Sequence, residues 1–173
     1  MKNALKYCVL LLLGLMAIHP SKAQEISAWY GVWKGSLELY KPDGTVDKSV
    51  PMELVIKPTK DSLVTQWKVT YHQTEVRDQK LIANDSLKGV YYLDDPNGIR
   101  IEVRKFGKVI MSNFEVMDFQ INNTYELTGM TIWFTLSSSK TPLHTQSGKG
   151  TNQAPIVKSV PPNVFQRAIL MRQ

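Results

Sequence analysis

The 173-residue chain predicts an all-β fold, an antiparallel up-and-down barrel of about 8–10 strands. Apolar side chains recur at every second position through short segments, the rhythm of strands buried on one face. Clusters of Gly, Pro, Asn and Asp separate those segments at intervals of roughly 8–12 residues. The alternation excludes a parallel sheet, whose strands are apolar on both faces. Closing an antiparallel meander into a barrel removes two edges that would otherwise invite aggregation.

An export signal precedes the domain. Lys2 and Lys6 supply a positive start, Val9 to Ile18 an apolar run broken only by Gly14, and Ser21-Lys22-Ala23 the small residues read by a signal peptidase. Cleavage is expected between Ala23 and Gln24. The run is shorter than the roughly 20 residues a spanning helix needs, and no later run is long and apolar enough to cross a membrane as a helix. Residues 1–23 therefore read as a removable leader, and residues 24–173 as a single domain bound for the periplasm or the cell exterior. Losing three of the 21 Lys and Arg leaves 18 against 15 acids, a formal charge of +3 in place of +6. That charge lends no support to nucleic-acid binding. The lone Cys8 leaves with the leader, so no disulfide is available and a conventional core must hold the fold. A chain of about 150 residues buries roughly 68–70% of its unfolded surface, enough for one such core.

The strands follow in order. Trp33, Gly35, Leu37 and Leu39 alternate with Lys34, Ser36 and Glu38, and Pro42-Asp43-Gly44 supplies a turn. Met52, Leu54 and Ile56 form the next segment, ended by Pro58 because it cannot donate to a ladder. Thr65, Trp67, Val69 and Tyr71 share one face of a third strand, with His72 on the other. A shorter, less regular segment runs from Val76 to Ile82. Leu87, Gly89, Tyr91 and Leu93 lead into Asp94-Asp95-Pro96-Asn97-Gly98, the strongest hairpin signal in the chain. Ile99, Ile101 and Val103 alternate with Arg100, Glu102 and Arg104, and Phe106-Gly107-Lys108 turns the chain into Val109–Met117. Asn122-Asn123 reads as a further turn after Phe119 and Ile121. Met130, Ile132, Phe134 and Leu136 then alternate with Thr131, Trp133 and Thr135. Residues 137–152 form a polar loop long enough to be functional or disordered. Pro161-Pro162 resets the chain before a final strand, Val164 to Met171.

The start of the first strand carries a resemblance. Gly31-Val32-Trp33-Lys34, after Ala28-Trp29-Tyr30, resembles the Gly-x-Trp opening of the calycin barrels: lipocalins, fatty-acid-binding proteins and avidins. The chain also resembles uncharacterised calycin-like proteins exported by some Gram-negative bacteria. The shared pattern there is Trp33-Lys34-Gly35, Asn97-Gly98-Ile99 and Gln166-Arg167-Ala168. The calycin resemblance implies that Trp33 plugs one barrel end beneath a basic residue of the last strand, Arg167 first and Arg172 second. It implies no particular activity.

No constellation for catalysis stands out. His72 and His144 are the only histidines after the leader, too few for an ordinary zinc site, and no cofactor is implied. Gly148-Lys149-Gly150-Thr151 does not make a phosphate loop: the Lys precedes the second Gly, and Pro155 prevents the helix that would follow. Arg100, Glu102 and Arg104, with Lys105 and Lys108 nearby, read as a solvated outer face of mixed sign. Asp61-Ser62-Leu63 and Asp85-Ser86-Leu87 resemble a short O-glycosylation signal of exported Gram-negative proteins, which marks Ser62 and Ser86.

The aromatic set is more informative. Trp67, Tyr71, Tyr91, Phe114 and Phe134 fall on the apolar phase of separate strands, where a small barrel either fills its core or lines one cavity. Buried tyrosine hydroxyls need partners, and a ligand can be one. The leading expectation is a non-enzymatic protein holding a small hydrophobic or amphipathic molecule against those five residues. A filled-core module that contacts an envelope protein, through the 137–152 loop or an outer sheet face, is the alternative. An enzyme acting on a lipid inside the barrel comes third.

Overall fold

The computed structural model describes residues 26–141 and 144–173. The leader, its cleavage point and Cys8 lie outside the described residues. Twelve strands are present among those described: β1 (Gly31–Tyr40), β2 (Val46–Pro58), β3 (Val64–Tyr71), β4 (Glu75–Asp85), β5 (Val90–Asp94), β6 (Arg100–Phe106), β7 (Val109–Val116), β8 (Phe119–Thr128), β9 (Thr131–Lys140), β10 (Thr145–Ser147), β11 (Val157–Ser159) and β12 (Val164–Arg172). Ten of them close into one antiparallel barrel in the order β1-β12-β9-β8-β7-β6-β5-β4-β3-β2, while β10 and β11 pair as a separate hairpin. Consecutive hairpins carry the chain from β1 to β9, and β12 returns to fill the gap between β9 and β1. The fold is all-β, a closed antiparallel barrel of ten strands.

Alternation sets the faces. Val50, Met52, Leu54 and Ile56 of β2 point inward, as do Thr65, Trp67 and Val69 of β3 and Ile132 and Phe134 of β9. Each of these is almost wholly removed from water, and burial of the apolar ones is worth roughly 1.5–3 kcal/mol apiece. Side-chain acceptors close the turns. Asp43 Oδ1 accepts from Thr45 N at 2.9 Å, and Asn97 Oδ1 accepts from Ile99 N at 3.0 Å. Gly35 marks the tightest approach of β1 to β12: a Cβ there would sit 2.0 Å from the Ile169 carbonyl oxygen.

Three readings of the sequence are corrected. Asn122-Asn123 is not a turn but the middle of β8, where Asn122 pairs with Asn113 and Ser137, and Asn123 with Ser112 and Leu136. The turn lies earlier, around Met117, whose φ is 54°. The polar stretch 137–152 is not one loop, because Ser137–Lys140 continue β9 against β8 and the segment 145–147 pairs with β11. Neighbouring strands supply ladder partners, on both sides for Asn122, Asn123, Ser137 and Ser138 and on one side for 139–140 and 145–147, and that tertiary pairing overrides weak strand propensity. His72 is not on a strand face either; it sits in the exposed β3–β4 turn with φ 52°.

Candidate functional site

The barrel has one stoppered end. A short 3-10 helix, Ile26–Trp29, crosses it and buries Trp29. Trp33 lies fully buried beside it, its Nε1–H donating to the Trp29 carbonyl at 2.9 Å. The guanidinium of Arg172 sits 4.3 Å from the Trp33 ring centroid, and its Nη2 donates to the Ala28 carbonyl at 2.6 Å. Arg167, the first candidate for that place, is not there. Ala168 and Leu170 are the inward, buried positions of β12, so Arg172 shares their face and Arg167 takes the other. Arg167 lies instead on the outer surface, 4.5 Å over Trp133. The parity of β12 was enough to separate the two.

Beneath the stopper, aromatic rings meet. Trp67 lies 6.3 Å from Trp29 and 5.2 Å edge-on from Tyr125, and Tyr125 lies 4.7 Å from Phe134. In the ring of strands, β3 and β8 stand on opposite walls, so the Trp67–Tyr125 contact spans the barrel and forms a floor. Trp67 and Phe134 are thus brought together, but through Tyr125, which is not among the five expected lining residues and is buried on the inner phase of β8 with Leu127. Tyr91 is also buried, near Tyr30 rather than in the floor's ring contacts. Tyr71 is half-buried against the core on the side away from the stopper, and Phe114 is half-buried further along β7.

On that far side the inward side chains are incompletely covered, and this half of the barrel is the cup. Near the stopper the inward side chains are closed off from solvent. Toward the other end Leu39, Tyr71, Ile101, Phe114, Ile121 and Leu136 also occupy inward phases, yet each keeps part of its surface exposed. Polar pairs punctuate this apolar wall: Ser112 Oγ donates to Asn123 Oδ1 at 2.9 Å, and Gln79 Nε2 to Asp95 Oδ2 at 3.3 Å.

Electrostatics follow the geometry. Burial raises the Tyr125 phenol well above its ordinary 10.0, aided by Tyr71 and opposed by the Trp67 N–H and Arg77. Burial also raises Tyr71 and Tyr91, with Arg77 opposing the rise at Tyr71. Arg77 shares the inner phase of Val69, its direct partner across β3 and β4, and lies exposed. Lys105 corrects the sequence reading as well. It follows the inward phase of Ile101 and Val103, is buried, and donates from Nζ to the Gly107 carbonyl at 2.8 Å. Desolvation lowers its pKa. The neighbouring charges do face out, as Arg100–Asp94 and Arg104–Glu102 pairs at 2.8 and 2.6 Å.

Outside the barrel, a groove of about 220 Å³ runs along β1 and β12, lined by Ser36, Glu38, Arg167, Ala168 and Ile169. Ser62, in a turn, and Ser86, the first residue of a short 3-10 helix, are exposed at the stoppered end. Each follows an aspartate that braces its turn: Asp61 Oδ1 accepts from Leu63 N at 2.9 Å, and Asp85 Oδ1 from Lys88 N at 3.2 Å. Among the described residues no group of three or more His, Cys, Asp or Glu is placed to hold a metal ion, and no helix is long and apolar enough to cross a membrane.

No protein-family description matches the chain, and no curated protein does. Among solved structures it is similar to the zebrafish ileal bile acid-binding protein complexed with cholic acid. The two are 15% identical with a TM-score of 0.46, over 84% of this chain and 99% of that one.

Proposed function

We propose that this chain is an exported, non-enzymatic binding protein that holds one small, partly hydrophobic molecule in the open half of its barrel, in the periplasm or outside the cell. One observation carries the reading: apolar side chains on the inward phases of the far half of the barrel remain partly exposed. A filled core hides its inward residues, whereas a ligand site is a concave apolar surface with a few polar groups. The half-buried Tyr71 and Phe114 line this cup, while Trp67 and Phe134 belong to the floor below it. Titration with the apolar dye N-phenyl-1-naphthylamine tests the idea. The expected result is saturable binding at one dye per barrel, lost when Ile121→Trp or Leu136→Trp fills the cup in a protein of unchanged circular dichroism. Unsaturable binding, or binding indifferent to both folded variants, refutes it.

A second reading has its own observation. The outer groove adjoins exposed Phe165, Ile169 and Met171 on β12, a face suited to an envelope protein. Capture of one such protein by the wild type and not by Ile169→Asp would favour it over the cup.

A further inference from the structure

Resting on the cup reading, we propose that the bound molecule presents a neutral oxygen acceptor, a ketone or ester carbonyl or a hydroxyl, to the Trp67–Tyr125 floor. Trp67 is 1% exposed, and its Nε1–H has no hydrogen-bond partner among the described residues. Buried donors in native proteins are nearly always satisfied, so an orphan in the middle of a barrel marks a place where an acceptor belongs. Of the neighbouring indoles, Trp33 already donates to the Trp29 carbonyl, and the Trp29 N–H is not among the buried unsatisfied groups.

The nearest neighbour of the Trp67 N–H is a phenol, whose oxygen can accept and whose O–H can donate. The indole faces this Tyr125 phenol without closing a bond, and the Tyr71 phenol stands on the same inner face as Trp67, toward the mouth. Burial keeps both phenols protonated at neutral pH and therefore able to donate. An oxygen atom with two lone pairs would satisfy the indole N–H and a phenol together. A carboxylate fits less well. The inward-phase cations stand elsewhere: Arg77 is exposed near the mouth, and Lys105 is bound to the Gly107 carbonyl at the β6–β7 turn. A bare charge on the floor would be desolvated without a paired cation. Neutral donors at depth and the cation at the rim select a neutral oxygen below.

Three probes of similar size separate the possibilities: undecane, 2-decanone and decanoate, each displacing the naphthylamine dye from the full mature protein. Tyr125→Phe is expected to weaken 2-decanone about 3–10-fold, the effect of one lost hydrogen bond, and to leave undecane within twofold. Tyr71→Phe serves the same purpose should Tyr125→Phe fold poorly. In ¹H–¹⁵N spectra, 2-decanone and not undecane should move the one indole resonance that Trp67→Phe removes. Equal losses for both probes, or no loss for either with that resonance unmoved, show that only water bridges the floor and overturn the inference while the cup stands. Decanoate binding more tightly than 2-decanone, with the advantage lost in Arg77→Gln, overturns it in favour of an anion. If no probe displaces the dye, the cup reading falls and takes this inference with it.

Discussion

Replacing Arg172 by Ala should destabilise the barrel far more than replacing Arg167, although both arginines lie on β12 and both stack on a tryptophan. Arg172 covers the fully buried Trp33 at 4.3 Å, and its Nη2 ties the last strand to the Ala28 carbonyl of the crossing helix at 2.6 Å. A partly desolvated cation–π contact contributes about 1–2 kcal/mol. The charged hydrogen bond, discounted because it is reached by solvent, adds about 1 kcal/mol. Arg172→Ala should therefore cost about 2–3 kcal/mol, which for a domain of about 150 residues lowers Tm by roughly 4–12 °C. Arg167 stacks on Trp133 at 4.5 Å on the outer surface, where such a contact is worth about 0.5–1 kcal/mol. Urea unfolding of both variants, followed by tryptophan fluorescence with matched m-values, measures the difference. Combining Arg172→Ala with Trp33→Phe should recover a coupling of about 1 kcal/mol or more. Equal losses for the two arginines, or a vanishing coupling, would refute the assignment of Arg172 as the cover of the stoppered end.

Gly35→Ala places a Cβ 2.0 Å from the Ile169 carbonyl oxygen, so β1 and β12 must separate. Overpacking of this kind costs about 1–3 kcal/mol, read as a lower urea midpoint. The raised phenols set an alkaline limit. A group whose folded pKa lies above its unfolded value contributes its stability in full below the unfolded value of 10.0 and loses it as pH rises toward the folded one. The urea midpoint should therefore fall from about pH 10 upward, and Tyr125→Phe should flatten that fall; an identical slope in the variant would remove Tyr125 as its source. Export and glycosylation share one assay. The intact mass of the native secreted protein should begin at Gln24 and exceed the bare polypeptide by sugar that Ser62→Ala and Ser86→Ala each reduce. A mass equal to the bare chain would exclude modification at both.

Much of the barrel is a local property of the chain. The two-residue period assigns Leu54, Ile56, Trp67 and Phe134 to the inside from sequence alone, because successive side chains on a strand leave opposite faces. That same parity was enough to place Arg172 inside and Arg167 outside, and to turn Lys105 inward with Ile101 and Val103. The family resemblance ranks Arg167 ahead of Arg172, the reverse of their placement, and the run of charges around Lys105 masks its phase. Turn chemistry was legible at Pro42-Asp43-Gly44 and Asp95-Pro96-Asn97-Gly98. It misled at Asn122-Asn123, where two turn-prone residues sit in β8 because β7 and β9 flank them on both sides.

What only the tertiary structure decided depends on closure. The return of β12 between β9 and β1 joins residues far apart in sequence, and no local rule specifies which edge it takes. The contact of Trp67 with Tyr125 exists because β3 and β8 become opposite walls once the ring is shut, 5.2 Å apart at their rings. Strand character follows from each residue's nearest neighbours along the chain. Whether inward side chains meet as a floor or stand apart as a cup follows from the curvature of the whole sheet, to which every strand contributes.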